Sequence, residues 1–461
     1  LVPWIGGGER TTVAGEPPTS SSPELAHKVS LPLVMRGYNV SNRSPFGITM
    51  YGKVNDAAGL PEMKEAGAKW ITTFLYWARI ERSKGSLNWS SFDTKARNAQ
   101  AAGMSLFVVF TENPSWAAPL EAGPVNNIKD LVNFVGLMAE RYDCDGNKDA
   151  PGHPCVHNYS FYPEPDNGDL YHAQNGKGYW GHNGAGYADM LSKVVPAIRQ
   201  ANPSAKVFIG GLAYDAFEEE GGPFVRSFLS DTLQALNRKG GVQKFIDGAT
   251  FHYYPISPGK WPSIREKAQE IQNIMTSNGA GGLSLFCPET GYWSSPLHGS
   301  TEQKQAQWVV QTYTRGFAEG IKILSYYKVF DAVVAGGPDD LYPDRTAGLL
   351  RVDRSKKPAY YAYETMVREL ASARYERPFE ADGVEGYVFR MPDGGEKIVL
   401  WSKAGTRHIS LPYSRVRLVT LPGQEYDIRN SQKAAPGSLD RSAPAGIQLE
   451  LHENEPVYVE P

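Results

Sequence analysis

No run of about 18 apolar residues occurs anywhere in the 461-residue chain, so the sequence offers no membrane-spanning helix. Nor is there a basic tract. The formal net charge is −3, which argues against a nucleic-acid partner. Cysteine is scarce, and three residues of it exclude a disulfide scaffold. A glycine-rich turn is missing after the first strand-like run at 46–51, so nothing announces a nucleotide and no cofactor is expected. The chain opens on Leu1 rather than Met, which fits a processed product that has lost a signal peptide, and a secreted or cell-surface location is expected.

Aromatic residues are plentiful, with 10 Trp, 25 Tyr and 18 Phe. Residues 1–24 are rich in Gly, Pro, Ser and Thr and read as a flexible leader. Segment 25–37 has no evident place. From about 45 to 370, strand-like runs alternate with helical ones. The strands read at 46–51, 70–76, 105–110, 158–162, 206–210, 248–253, 283–287 and 323–330. Helices read at 128–142, 187–200, 223–237, 264–276 and 302–319. Eight strands alternating with helices predict a (β/α)₈ barrel, placed at 25–374. Beyond it, short runs at 386–390, 396–401, 408–411, 416–419, 447–449 and 456–459 are separated by Gly and Pro turns. They predict a small β-sandwich over 375–461.

In such a barrel the C-terminal strand ends form the site, and here those ends are polar and aromatic. Strand 3 ends Thr111-Glu112-Asn113-Pro114-Ser115-Trp116, and strand 4 ends Tyr162-Pro163-Glu164-Pro165-Asp166-Asn167. Strand 6 ends His252-Tyr253-Tyr254, strand 7 ends Glu289 before Tyr292 and Trp293, and strand 8 ends Tyr326-Tyr327. A carboxylate beside apolar surface is costly, and two at strand ends of one rim suit double-displacement glycoside hydrolysis. That chemistry needs carboxyls about 5 Å apart, one protonated and one ionised. Tyr254 is the candidate to hold the ionised one, and His252 to meet a sugar hydroxyl. Trp116, Trp180 and Trp293 are candidate stacking platforms. Glu112, Asn113, Asp166, Asn167, Tyr326 and Tyr327 complete the expected substrate-binding rim.

These motifs resemble the retaining glycoside hydrolases that carry glutamates at the ends of strands 4 and 7, family 39 and its bacterial relatives most of all. The resemblance implies that Glu164 is the acid/base and Glu289 the nucleophile. Two departures stand out: Pro163 occupies the place of an Asn, and Thr72 that of an Arg. The sugar-binding subsite at the nucleophile is therefore expected to be reshaped. The expected activity is a retaining β-glycosidase on a poly- or oligosaccharide, endo-acting. The alternatives are an exo-acting enzyme on small glycosides and a carbohydrate-binding barrel of weak catalysis.

Asp143, Asp145, Asn147 and Asp149 alternate like the first half of a calcium loop. Lys148 stands where such a loop needs Gly, and Pro154 where it needs Glu. A structural Ca²⁺ at 143–149 and a Cys144–Cys155 bridge are both open readings, the latter against two free thiols. No metal is expected in bond cleavage.

Overall fold

A computed structural model describes residues 44–168, 180–255, 260–332, 343–429 and 446–461. The leader and segment 25–37 lie outside the described residues. Eight parallel strands close into a barrel in chain order: β1 (Phe46–Thr49), β2 (Trp70–Tyr76), β3 (Ser105–Thr111), β4 (Asn158–Phe161), β5 (Lys206–Leu212), β6 (Gly248–Tyr253), β7 (Ser284–Thr290) and β8 (Leu324–Tyr326). Trp70, Phe107, Val109, Phe208, Phe286 and Ile323 fill the lumen as one apolar cluster. The barrel interior is thus a packed core rather than a pore.

The outer helices follow from their sequence. In Ile128–Arg141 the residues Leu131, Phe134, Val135 and Met138 fall on one face and are buried. Asn127 caps its start by accepting from Lys129 N–H, and Arg141 closes its end. Two readings shift. The helix expected from 223 begins at Phe228. Residues 223–225 are spent holding the β4 tip, through Gly168 N to Pro223 O and Val225 N to Asp166 O. Strand 8, expected to 330, stops at Tyr326, and the Tyr327–Lys328 peptide is cis.

Strands β9 (Arg374–Pro378), β10 (Val384–Arg390), β11 (Glu396–Ser402), β12 (Arg407–Leu411), β13 (Arg415–Val419), β14 (Glu425–Arg429), β15 (Ile447–Leu451) and β16 (Val457–Glu460) form two antiparallel sheets. One runs β14-β13-β16-β11-β10-β9, the other β12-β15. Val388, Ile398, Leu400, Leu411, Ile447 and Leu449 form the core between them, a β-sandwich. The other face of the large sheet packs on the barrel helices. Phe389 stacks on Phe317 at 5.4 Å, and Tyr387, Trp401 and Tyr458 join the same apolar cluster as those helices.

Candidate active site

The register of the barrel strands changes near their C-terminal ends. Between Thr250↔Phe286 and His252↔Glu289, β6 advances two residues while β7 advances three. The β7–β8 pairing shows the same surplus, from Cys287↔Leu324 to Thr290↔Tyr326. The extra residue lies around Pro288, which has no N–H to give the ladder. Such a bulge re-aims the side chain that follows, here Glu289. Strand β5 carries another surplus residue, between Ile209↔Ala249 and Leu212↔Phe251. Gly210 and Gly211 occupy it. A Cβ on Gly211 would lie 2.2 Å from His252 Nε2, so only glycine admits the ring.

Strand β6 connects the two glutamates. His252 Nδ1 lies 3.1 Å from Glu164 Oε1, and Tyr254 OH donates to Glu289 Oε1 at 2.6 Å. His252 is also the cross-strand partner of Glu289. His252 lies within β6 and Tyr254 is the first residue beyond it, so the end of this one strand positions both grips. His252 therefore holds a carboxylate, where a sugar hydroxyl was expected as its partner.

Burial pushes the Glu289 carboxyl up to about 7, and only 4% of the residue is exposed. Burial also acts to raise Glu164, but the hydrogen bond and charge of His252 outweigh it and hold that carboxyl below its ordinary value. Glu164 has a left-handed backbone, φ 47°, as do Tyr162 (59°) and Glu112 (56°) on the same rim. Such a conformation costs a non-glycine residue about 1–3 kcal/mol and gathers at functional sites. Surrounding bonds hold it: Glu164 N donates to Gly211 O at 2.7 Å, and Asn167 N to Glu164 O at 3.1 Å.

Several expected rim residues stand beneath the rim instead. Asp166 is fully buried, and its carboxylate accepts from Ala213 N (3.1 Å) and Tyr214 N (2.8 Å) beyond β5. Burial lifts its carboxyl to about 7. Asn167 is buried beside it. Asn113 is buried and clamps its own loop, donating to Leu120 O and Gly123 O and accepting from Tyr162 OH. Trp180 is buried edge-on against Tyr187, and Tyr326 is buried with its hydroxyl on Tyr292 O. None of these five offers a face to a sugar. The polar groups of Asp166, Asn113 and Tyr326 are consumed in fixing the strand ends and their loops, and Trp180 serves as packing.

Other expected residues remain on the rim. Trp293 is half-buried and stacks on Tyr292 at 5.0 Å. Trp116 is half-buried, with its indole N–H on Glu81 O. Glu112 pairs bidentately with exposed Arg79 at 2.8 and 3.0 Å. Tyr327 is half-buried, 6.5 Å from Tyr254 and 5.9 Å from Tyr51 between ring centres. The sequence reading passed over Tyr51, Phe74 and Tyr76. Tyr51 and Phe74 stack at 3.8 Å, and Arg79 covers the Tyr76 ring at 3.6 Å. The sequence does not mark them, because Phe74-Leu75-Tyr76 is hydrophobic throughout and only the fold leaves Phe74 and Tyr76 half-exposed about buried Leu75 at the end of β2. Buried Lys95 fixes this corner by donating to Tyr51 O, Thr73 Oγ1 and Phe74 O.

Thr72, the residue at the Arg position of the resemblance, is fully buried and donates to Ser325 Oγ at 2.9 Å. Cys144 and Cys155 form a disulfide, and Cys287 is a buried free thiol. Among the described residues, no helix is long and apolar enough to cross a membrane.

A closed (β/α)₈ barrel followed by a C-terminal β-sandwich is an architecture this chain shares with solved glycoside hydrolases. Comparison with solved structures places the fold there. A family 39 glycoside hydrolase from the gut symbiont Bacteroides cellulosilyticus superposes with a TM-score of 0.66 at 19% identity, covering 91% of this chain and 81% of that one. A family 39 β-xylosidase from Caulobacter crescentus gives 0.58 at 14%, covering 90% and 96%. A family 30 endoxylanase from Clostridium papyrosolvens gives 0.60 at 11%, covering 91% and 96%. At these identities the likeness is one of fold. No protein-family model and no curated protein sequence matches the chain.

Proposed function

We propose that the chain is a retaining β-glycosidase acting on a poly- or oligosaccharide, with Glu289 as nucleophile and Glu164 as acid/base. The observation that carries this reading is the C-terminal end of β6, where His252 grips Glu164 and Tyr254, just beyond the strand, grips Glu289. In the first step Glu164 gives its proton to the glycosidic oxygen while Glu289 attacks the anomeric carbon, leaving a glycosyl-enzyme ester. In the second, Glu164 takes a proton from water, which attacks the same carbon and frees Glu289. The Tyr254 hydroxyl keeps the attacking carboxylate in line. The carboxylates supply acid, base and nucleophile, so this route assigns no step to a metal. Half-exposed Tyr51, Tyr76, Tyr327 and Trp293 suit an extended sugar chain and internal attack. A location outside the cytoplasm suits the Cys144–Cys155 disulfide.

The second reading, a carbohydrate-binding barrel of weak catalysis, draws on Pro163 and on the raised Glu289 carboxyl. One experiment separates the two. Glu289→Gly, given azide and an activated aryl glycoside chosen by screening, is expected to release a glycosyl azide of inverted configuration. Glu164→Ala is expected to release the retained azide. Configurations exchanged between the variants would reverse the roles. Oligosaccharide binding with no turnover of any panel substrate would select the binding reading. In the same panel, monosaccharide released from the first minutes would reject endo action.

A further inference from the structure

The turn between the Ile128–Arg141 helix and β4 brings the carboxylates of Asp143, Asp145 and Asp149 together, with one oxygen of each within 4.8 Å of the others. Three like charges this close repel one another, and Lys148 turns to Glu140 rather than to them, at 4.0 Å. The Asp149 side chain is only 1% exposed. Its Oδ2 accepts from Gly146 N at 3.0 Å and lies 2.7 Å from His153 Nδ1. Its Oδ1 is buried and accepts no hydrogen bond from an N–H or hydroxyl group among the described residues. A buried carboxylate oxygen without a donor is expensive, and its neighbours here are carboxylates, which have no proton to give when ionised.

We propose that this turn is a structural site for a hard divalent cation, Ca²⁺ by its ligand chemistry. Oxygen-only ligation suits Ca²⁺ and Mg²⁺ rather than softer metals. The larger ion suits an irregular turn better: Ca²⁺ accepts about six to eight oxygens in flexible geometry, whereas Mg²⁺ demands near-ideal octahedral ligands and gives up its waters reluctantly. The site differs from a helix–loop–helix calcium loop. Lys148 and Pro154 replace its Gly and its bidentate Glu, and Asn147 donates its amide to Glu140 at 2.8 Å. Two or more ligands would be water.

The turn enters β4 at its N-terminal end, whereas Glu164 follows the C-terminal end, with the whole of Asn158–Phe161 between them. The ion therefore stabilises the fold and takes no part in the chemistry.

The test uses the full chain, freed of metal by chelator and dialysed. Equilibrium dialysis with radioactive calcium is expected to show one ion per chain, with a Kd on the order of 10⁻⁴ M. CaCl₂ at millimolar concentration is expected to raise the melting temperature by several degrees, and MgCl₂ at the same ionic strength by much less. Asp149→Asn is expected to lose binding at least tenfold, but it also removes a partner of His153. Asp145→Asn, at an exposed position, tests the site without that complication and is expected to lose binding to a similar degree. No bound ion at 1 mM calcium, or an Asp145→Asn protein that binds like the wild type, would overturn the proposal.

Discussion

Glu289 and Glu164 bear opposite shifts, the first up to about 7 and the second below its ordinary value. Between those two limits the pair holds a single proton, and it resides mainly on Glu289. Double displacement needs that proton on Glu164, which is a minority arrangement of the same one-proton state. Turnover should follow the population of that state. Its upper limit lies near pH 7, where the last proton leaves, so kcat/KM is expected to fall as pH rises through 7. It should fall again on the acid side, where Glu164 takes up a second proton below its ordinary range. A profile from pH 4 to 9 checks this, and activity that keeps rising beyond pH 8 would refute it. His252 is the residue that sets the order, because it favours the charged form of Glu164. At this scale the sequence was legible as chemistry but not as direction. It marked both glutamates and Tyr254. It could not tell that Asp166 turns inward to two backbone N–H groups or that Tyr326 is sealed off, because carboxylates and phenols serve a buried hydrogen-bond network as well as a sugar.

Among elements, the barrel strands were legible because they are rich in apolar, aromatic and β-branched residues and lie between turn formers. Strands β9 and β14 were missed because their sequences, Arg-Tyr-Glu-Arg-Pro and Glu-Tyr-Asp-Ile-Arg, are charged and mostly exposed. Edge position explains both, since each has one neighbouring strand in the large sheet. The bulges in β5 and β7 left only faint marks, a Gly-Gly pair and a proline inside strands. Their effect is large, because they aim Glu289 and admit His252. Gly211→Ala is accordingly expected to displace the His252 ring and release its hold on Glu164. Activity should drop by at least tenfold, and overpacking should cost about 1–3 kcal/mol. The diagnostic readout is the pH profile of the residual activity, which should shift if Glu164 loses its partner. A variant with wild-type kcat/KM at every pH would show that the close approach has no role.

For the whole molecule, the junction of barrel and sandwich carries both charge and apolar contact. Glu369, 1% exposed on the Pro358–Leu370 helix, meets Lys397 of β11 at 2.5 Å and Arg417 of β13 at 3.0 Å. Burial would raise its carboxyl, but the bonds from Arg417 and Lys397 prevail and bring it down to about 2. Stability from this source is complete above the ordinary glutamate pKa and is lost as pH falls toward 2. Glu369→Gln is expected to cost about 1–3 kcal/mol at neutral pH, since it removes the buried carboxylate that Lys397 and Arg417 share and leaves them only the more exposed Glu460 and Glu425. The gap from wild type should close as pH drops from 4.5 toward 2. Denaturant unfolding at several pH values checks this, and a gap independent of pH would refute the ionic account. Arg315 with Glu385, and Phe317 with Phe389, extend the same seam. A lineage could not trade this sandwich for another as a ready-made cassette. Any replacement would have to arrive with matching aromatic, basic and acidic partners already in place, so barrel and sandwich are expected to be inherited together.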